Sequence, residues 1–128
     1  MRLLSLDIGM RRTGVAFAEE ETGIVMVLDT IEHTSTDQLV TRVTEIAKTR
    51  GIGLIVVGLP ILLGGEEGSQ AKYVREVIEM IRMRTGLPVS SIDERYTNES
   101  SPKSVKDAKA ACEIIEIALQ KRQNGIDI

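Results

Sequence analysis

Residues 54–60, LIVVGLP, indicate the class of fold before any other part of the chain. Four consecutive aliphatic residues, closed by Gly-Leu-Pro, are typical of a strand that is buried on both faces in a parallel arrangement. Such a strand needs helices on both sides of its sheet. The stretch therefore predicts an α/β layer architecture with this strand at the centre of the sheet.

The N-terminal part predicts three antiparallel strands. In residues 3–8, LLSLDI, the side chains follow a period of two that is typical of a strand. Two more strand patterns, 13–18 and 24–30, flank the polar connection 19–23. This pattern predicts a three-stranded meander and places Asp7 at the carboxyl end of its first strand.

Helical and strand patterns alternate in the rest of the chain. Apolar residues at helical spacing begin after an N-cap at Ser35 or Thr36 and stop at Gly51. A second helix follows the glycine-rich loop, a short strand covers 89–92, and a last helix runs from about 102–105 to about Arg122. The predicted order is βββαβαβα, an α/β fold whose mixed five-stranded sheet has three antiparallel strands followed by parallel strands.

Length and composition favour one globular domain over residues 1–128. Sixteen Lys and Arg against nineteen Asp and Glu give a net charge of −3, and a hydrophobic fraction of 42% excludes a disordered chain. No apolar run is long enough for a membrane span or a secretory signal, so a cytoplasmic protein that does not engage membranes is expected. The single Cys112 excludes an intramolecular disulfide and a cysteine metal cluster.

Acidic residues follow the predicted parallel strands and recur on the last helix. Asp7 and the pair Asp93-Glu94 come at strand ends, where ligands gather in open α/β sheets, and Asp107 lies on the apolar side of the last helix. Three carboxylates without a neighbouring His or Cys favour Mg²⁺ or Mn²⁺. Two such ions about 4 Å apart would serve phosphodiester cleavage. Taken singly, each acid is more often a turn or surface ion-pair residue.

Basic residues near these acids are candidates for phosphate binding. Arg11 and Arg12 lie in the turn after the first strand, and Lys106 belongs to a group of lysines at the start of the last helix. The alternative is that they are solvent-exposed charges on a turn and on a helix face, without a role in binding. The only histidine, His33, is expected at a strand exit without a catalytic role.

Four segments together resemble the YqgF family of Holliday junction resolvases, also discussed as nucleases that mature the 5′ end of the 16S rRNA precursor. The matching segments are 7–16 (DIGMRRTGVA), 58–60 (GLP), 93–97 (DERYT) and 107–115 (DAKAACEII). The resemblance extends over most of the chain and implies an RNase H-like fold with a metal-dependent nuclease site.

The family's site residues correspond to particular positions of this sequence. The resemblance implies that the acids of the site are Asp7, Glu94 and Asp107. Asp93 is an alternate for Glu94, because strand alternation places the two on opposite faces. Arg12 and Arg95 match basic positions of the motifs and are candidates to hold phosphate or to pair with the acids.

The leading hypothesis is an Mg²⁺- or Mn²⁺-dependent endonuclease acting on structured nucleic acid, either 16S rRNA precursor or a four-way DNA junction. Symmetric cleavage of a junction needs two sites in one complex, which makes a homodimer the expected partner arrangement for that substrate. An alternative is a nucleic-acid or ribosome-associated binding module without useful catalysis, favoured by the short segment 98–106. A third reading, a relative of the actin-like ATPases with a phosphate loop at 7–14, is opposed by a length that supplies only one such domain.

Overall fold

The computed structural model describes residues 1–62, 64–93 and 103–128, with only the backbone described for residues 103–107. The elements found in these ranges follow the expected order βββαβαβα: β1 (Arg2–Ile8), β2 (Arg12–Glu19), β3 (Ile24–Glu32), α1 (Thr36–Arg50), β4 (Leu54–Leu59), α2 (Ser69–Thr85), β5 (Val89–Asp93) and α3 (Lys103–Gln123). In this part of the chain, no helix is long and apolar enough to cross a membrane.

β1 lies at the centre of a five-stranded sheet ordered β3-β2-β1-β4-β5. β1 and β3 each pair antiparallel with β2, whereas β4 pairs parallel with both β1 and β5. The expected mixed sheet is confirmed. The prediction that 54–60 forms the central strand was wrong. β4 is buried throughout because it lies between two strands and has helices on both faces. A strand beside the central one is buried in the same way, so burial alone does not identify the central strand.

The sheet divides its core between two faces because side chains alternate along each strand. Leu4, Leu6 and Ile8 of β1 pack with apolar residues of α1 and α2 on one face. Leu3 packs with apolar residues of α3 on the other. α3 contacts β1, β2, β3 and β4, so it alone covers most of its face among the described elements. The position of α3 therefore decides what lies beside β1 on that face.

All three helices begin at the same edge of the sheet. β1, β3, β4 and β5 end there, and each helix directly follows one of these strands; we call it the carboxyl edge. α1 begins at the predicted N-cap Ser35, whose Oγ accepts a hydrogen bond from the backbone N–H of Gln38 over 3.2 Å. It ends at the predicted Gly51, whose left-handed φ of 64° closes the helix.

Candidate active site

Asp7 lies near the end of β1, at the carboxyl edge, and is half-buried. Asp7 and Ser5 are two residues apart on β1 and therefore lie on the same face of the sheet. Because Ser5 contacts α3, this is the face that α3 covers, which we call the α3 face. Gly14 of β2 is the antiparallel partner of Asp7, and the register of β4, continued one step past Val57, brings Gly58 to its other side. The positions paired with Asp7 on both neighbouring strands are therefore glycines.

α3 runs antiparallel to β1, from the carboxyl edge to the opposite edge. Near its end, Arg122 donates to Glu20 through Nε, over 2.5 Å to Oε2, and through Nη2, over 3.1 Å to Oε1. Glu20 directly follows β2 and lies beside the start of β1, where its backbone N–H bonds to the carbonyl of Met1 over 3.0 Å. The hydrogen bond with Arg122 lowers the pKa of the Glu20 carboxyl below its ordinary value.

A buried hydroxyl fixes where α3 lies along β1. Ser5 Oγ donates to the backbone carbonyl of Ala111 over 2.6 Å, and both residues are fully buried. Asp7 lies two residues beyond Ser5, about 6.6 Å along β1. Position 107 lies four residues before Ala111, about 6 Å along the axis of α3. Because α3 is antiparallel to β1, both offsets lead to the carboxyl edge, and the backbone of residue 107 comes close to Asp7.

The acids expected after β5 are divided between described and undescribed residues. Ile92 packs in the apolar cluster around α3. Asp93 is the next residue of β5, so it lies on the opposite face of the sheet, where it is half-buried. Glu94 and Arg95 lie outside the described residues. Lys106 lies on α3, where only its backbone is described.

The described side chains alone do not form a complete metal site. Among them, no group of three His, Cys, Asp or Glu is close enough to hold a metal ion. Of the three expected ligands, Asp7 is the one whose side chain is described, since the Asp107 side chain and the whole of Glu94 lie outside that part. Asp7 fits a hard cation, because it offers carboxylate oxygens with glycines on both neighbouring strands.

The turn from β1 to β2 carries two predicted phosphate contacts. The N–H of Gly9 bonds to the carbonyl of Arg12 over 2.9 Å, and a Cβ on Gly9 would lie 2.5 Å from that same oxygen, so this turn requires glycine. Arg11 is exposed. Arg12 is half-buried, and its Nη2 is 3.9 Å from Glu32 Oε1, longer than a charge-assisted hydrogen bond. Arg12 is therefore only weakly neutralised by this carboxylate.

The start of α2 adds positive potential to the same edge. A helix N-terminus carries roughly +0.5 of an elementary charge. α2 begins after Gly68, which makes no side-chain cap, and its first turn has no acidic residue to offset that charge. Gln70 Nε2 is 3.5 Å from the carbonyl of Ile8, so the start of α2 lies against the end of β1. The edge thus combines Asp7 with groups that attract phosphate.

Two buried side chains have contacts that the sequence did not indicate. Ser5 was expected only as part of a strand, although a polar residue amid the aliphatic side chains of 3–8 indicates a buried hydrogen-bond partner. His33 directly follows β3, as expected, but only 4% of it is exposed. Its Nε2 lies 2.9 Å from Thr13 Oγ1. Burial lowers the pKa of His33.

Known proteins match this chain over most of its length. The family model described as "RuvX: Holliday junction resolvase" matches residues 1–121. A "Putative pre-16S rRNA nuclease" of Desulforudis audaxviator is 35% identical over 138 residues, covering 98% of both chains. Another, from Endomicrobium trichonymphae, is 31% identical over 122 residues, covering 95% of this chain and 83% of the relative. RuvC of T. thermophilus, solved with a Holliday junction substrate, has a TM-score of 0.65 at 13% identity, covering 96% of both chains. This likeness confirms the RNase H-like fold.

Proposed function

Because the chain belongs to the RuvX family of Holliday junction resolvases, we propose that it is an endonuclease that hydrolyses phosphodiester bonds in structured nucleic acid. The names of its relatives suggest two substrates, the 16S rRNA precursor and the four-way DNA junction. The observation that carries the proposal is the hydrogen bond from Ser5 to Ala111, which brings residue 107 of α3 close to Asp7.

We assign the metal site to three carboxylates that are far apart in the sequence, Asp7, Glu94 and Asp107. Glu94 is chosen over Asp93 by alternation: Ile92 packs against α3, and position 94 has the same parity as Ile92 in the sequence. Mg²⁺ or Mn²⁺ suits such a set, because both prefer oxygen ligands. Bound there, the ion would supply an activated water and stabilise charge on the leaving oxygen.

The chain's own residues would hold the substrate beside this site. Arg11 and Arg12 present guanidinium groups at the turn next to Asp7, where they can bind phosphate oxygens. The N-terminus of α2 provides further positive potential at that edge. Arg95 and Lys106 complete the proposed phosphate contacts on the sides of β5 and α3. These local groups would offset the net charge of −3, which is unfavourable for nucleic acid.

The first experiment measures cleavage of two labelled substrates, a 16S precursor-like RNA and a four-way DNA junction. Each is incubated with Mn²⁺, with Mg²⁺ and with chelator, using the native chain and the Asp7→Asn variant. Asp29→Asn is the matched control, because Asp29 is an exposed acid on β3. We expect metal-dependent cleavage that is lost in Asp7→Asn and kept in Asp29→Asn.

Two results would contradict the proposal. Full activity in Asp7→Asn would show that Asp7 does not belong to the site. Tight binding of either substrate by the folded native chain, with no cleavage in any metal, would support the binding module instead. Both affinities must be compared at one stated salt concentration.

A further inference from the structure

A concave feature lies at the carboxyl edge, beside the start of α1. We call it the α1 cavity; its volume is about 330 Å³, and it is lined by Arg11, Arg12, Glu32, His33, Thr34 and Gln38. These residues come from the β1–β2 turn, the end of β3 and the start of α1. The N–H of His33 bonds to the carbonyl of Arg11 over 2.9 Å and so joins two of these walls.

The side chain of His33 has an unmet hydrogen-bonding need. It lines the α1 cavity, and although it is 4% exposed, its Nδ1 has no hydrogen-bond partner among the described residues. Nε2 is used by Thr13 Oγ1 at 2.9 Å. A hydroxyl can donate to Nε2 or accept from it, so this contact fits both neutral tautomers and also the imidazolium, which carries a hydrogen on each nitrogen. Nδ1 is shielded from solvent, so an oxyanion in the cavity would act on the ring through its charge, which favours the imidazolium.

The remaining walls are rich in hydrogen-bond donors. Gln38 Oε1 already accepts from the backbone N–H and the hydroxyl of Thr34, over 2.7 and 3.0 Å, so the amide NH₂ is what Gln38 can still offer. Arg11 and Arg12 bring two positive charges against the single carboxylate of Glu32. Donors and net positive charge select an anion.

We propose that the α1 cavity binds a phosphate of the nucleic-acid strand next to the one cleaved at Asp7. This inference rests on the proposed function. Thr13, which contacts His33, alternates in step with Val15 on the face of α1 and α2. Arg12 and its partner Glu32 have the alternation of Gly14, which is paired with Asp7. The cavity therefore draws its walls from both faces, and the cavity and Asp7 are neighbours at this edge. They are separated by the short β1–β2 turn. A strand that crosses the carboxyl edge over this turn would therefore contact both.

The only histidine of the chain provides a direct probe of the cavity. The ¹⁵N resonances of the His33 ring are followed by NMR in the native chain, with chelator present to prevent cleavage. Inorganic phosphate and a short single-stranded oligonucleotide are added in separate titrations. We expect the ring resonances to shift in a saturable manner with both, because each brings a negative charge beside the imidazole.

Two variants test the charge of the site with the same oligonucleotide. Arg12→Gln should weaken its binding about tenfold or more, because a charge-assisted contact is lost. Arg50→Gln is the control: Arg50 ends α1 at the opposite edge, with its guanidinium 5.2 Å from the centre of the Phe17 ring. It should bind the oligonucleotide as the native chain does.

The outcomes separate this inference from the proposed function. If the oligonucleotide binds, by fluorescence anisotropy, while the His33 resonances stay in place, the cavity assignment is overturned and the nuclease proposal is untouched. A shift with inorganic phosphate alone would overturn the assignment to nucleic acid. Equal affinity of Arg12→Gln and Arg50→Gln would also contradict it. Failure of the nuclease proposal would show separately, as full cleavage activity in Asp7→Asn.

Discussion

Removing the hydroxyl of Ser5 should lower nuclease activity far more than it lowers the stability of the fold. Ser5→Ala deletes the 2.6 Å hydrogen bond that joins β1 to the carbonyl of Ala111. That carbonyl keeps its acceptor role toward the N–H four residues later in α3, so no buried group loses every partner. The expected loss in the free energy of unfolding is about 0.5–1.5 kcal/mol. Since small domains are stable by about 5–15 kcal/mol, the variant should fold.

The expected effect on activity follows from the geometry of the site. The hydrogen bond sets the register of α3 on β1, and residue 107 is placed about 6 Å from it along the helix. Without this bond, α3 is held by apolar packing and by the ion pair of Arg122 with Glu20 near its other end, and the turn that carries residue 107 loses the hydrogen bond four residues away. A misplacement of about 1 Å at a catalytic group can lower a rate about 100-fold. We therefore expect kcat to fall between about tenfold and 100-fold.

The assay compares Ser5→Ala with a variant of similar stability. Ala47→Gly places glycine in α1, on the opposite face, and should lower the free energy of unfolding by about 1–2 kcal/mol, through helix propensity and the loss of a buried methyl group. Urea unfolding gives the stability of both variants, and cleavage rates at saturating metal give their activities. If Ser5→Ala loses no more activity than Ala47→Gly, the hydrogen bond does not position α3 and the reasoning fails.

Three further predictions concern the acids, the glycine beside them and the far end of α3. Glu94→Gln should abolish cleavage and Asp93→Asn should retain most of it; equal loss in a cleavage assay would contradict the choice made by alternation. Gly58→Ala should weaken Mn²⁺ activation by placing a methyl group on the α3 face, seen as a higher metal concentration for half-maximal rate. Glu20→Gln removes the ion pair with Arg122 and should lower the free energy of unfolding near pH 7 by about 0.5–1 kcal/mol. The ion pair lowers the folded-state pKa of Glu20, so its stabilisation is complete above the unfolded-state pKa and is lost as the pH falls through the folded-state pKa. Urea unfolding curves of the native chain and Glu20→Gln should therefore converge in acid.

The order of elements could be predicted because each has a local cause in the sequence. The alternation in 3–8 defines β1, and Ser35 and Gly51 bound α1 through side-chain capping and a left-handed backbone. The order of strands in the sheet has no such local cause. A fully buried strand has the same aliphatic sequence pattern at the centre of a sheet and one position beside it. For this reason, the prediction misplaced 54–60 by one position.

The candidate site was predictable only in part for the same reason. Asp7 could be placed at a strand end from its own neighbours in sequence. The role of Ser5 depends on Ala111, over a hundred residues away, and no local pattern specifies that partner. The burial of His33 likewise depends on Thr13 and on the packing of α1, so sequence spacing indicated only its place after β3.

The central place of β1 has a consequence for local unfolding. Strands at the margins of a sheet open more readily than those hydrogen-bonded on both sides, and β3 and β5 are the margins here. β1 has a partner strand on either side and a helical layer above and below. Its amide hydrogens should therefore exchange with solvent only on global unfolding. Asp7 thus lies on the segment of this sheet that partial opening disturbs last, so fluctuations at either margin can admit a bulky substrate without displacing the acid that we propose holds the metal.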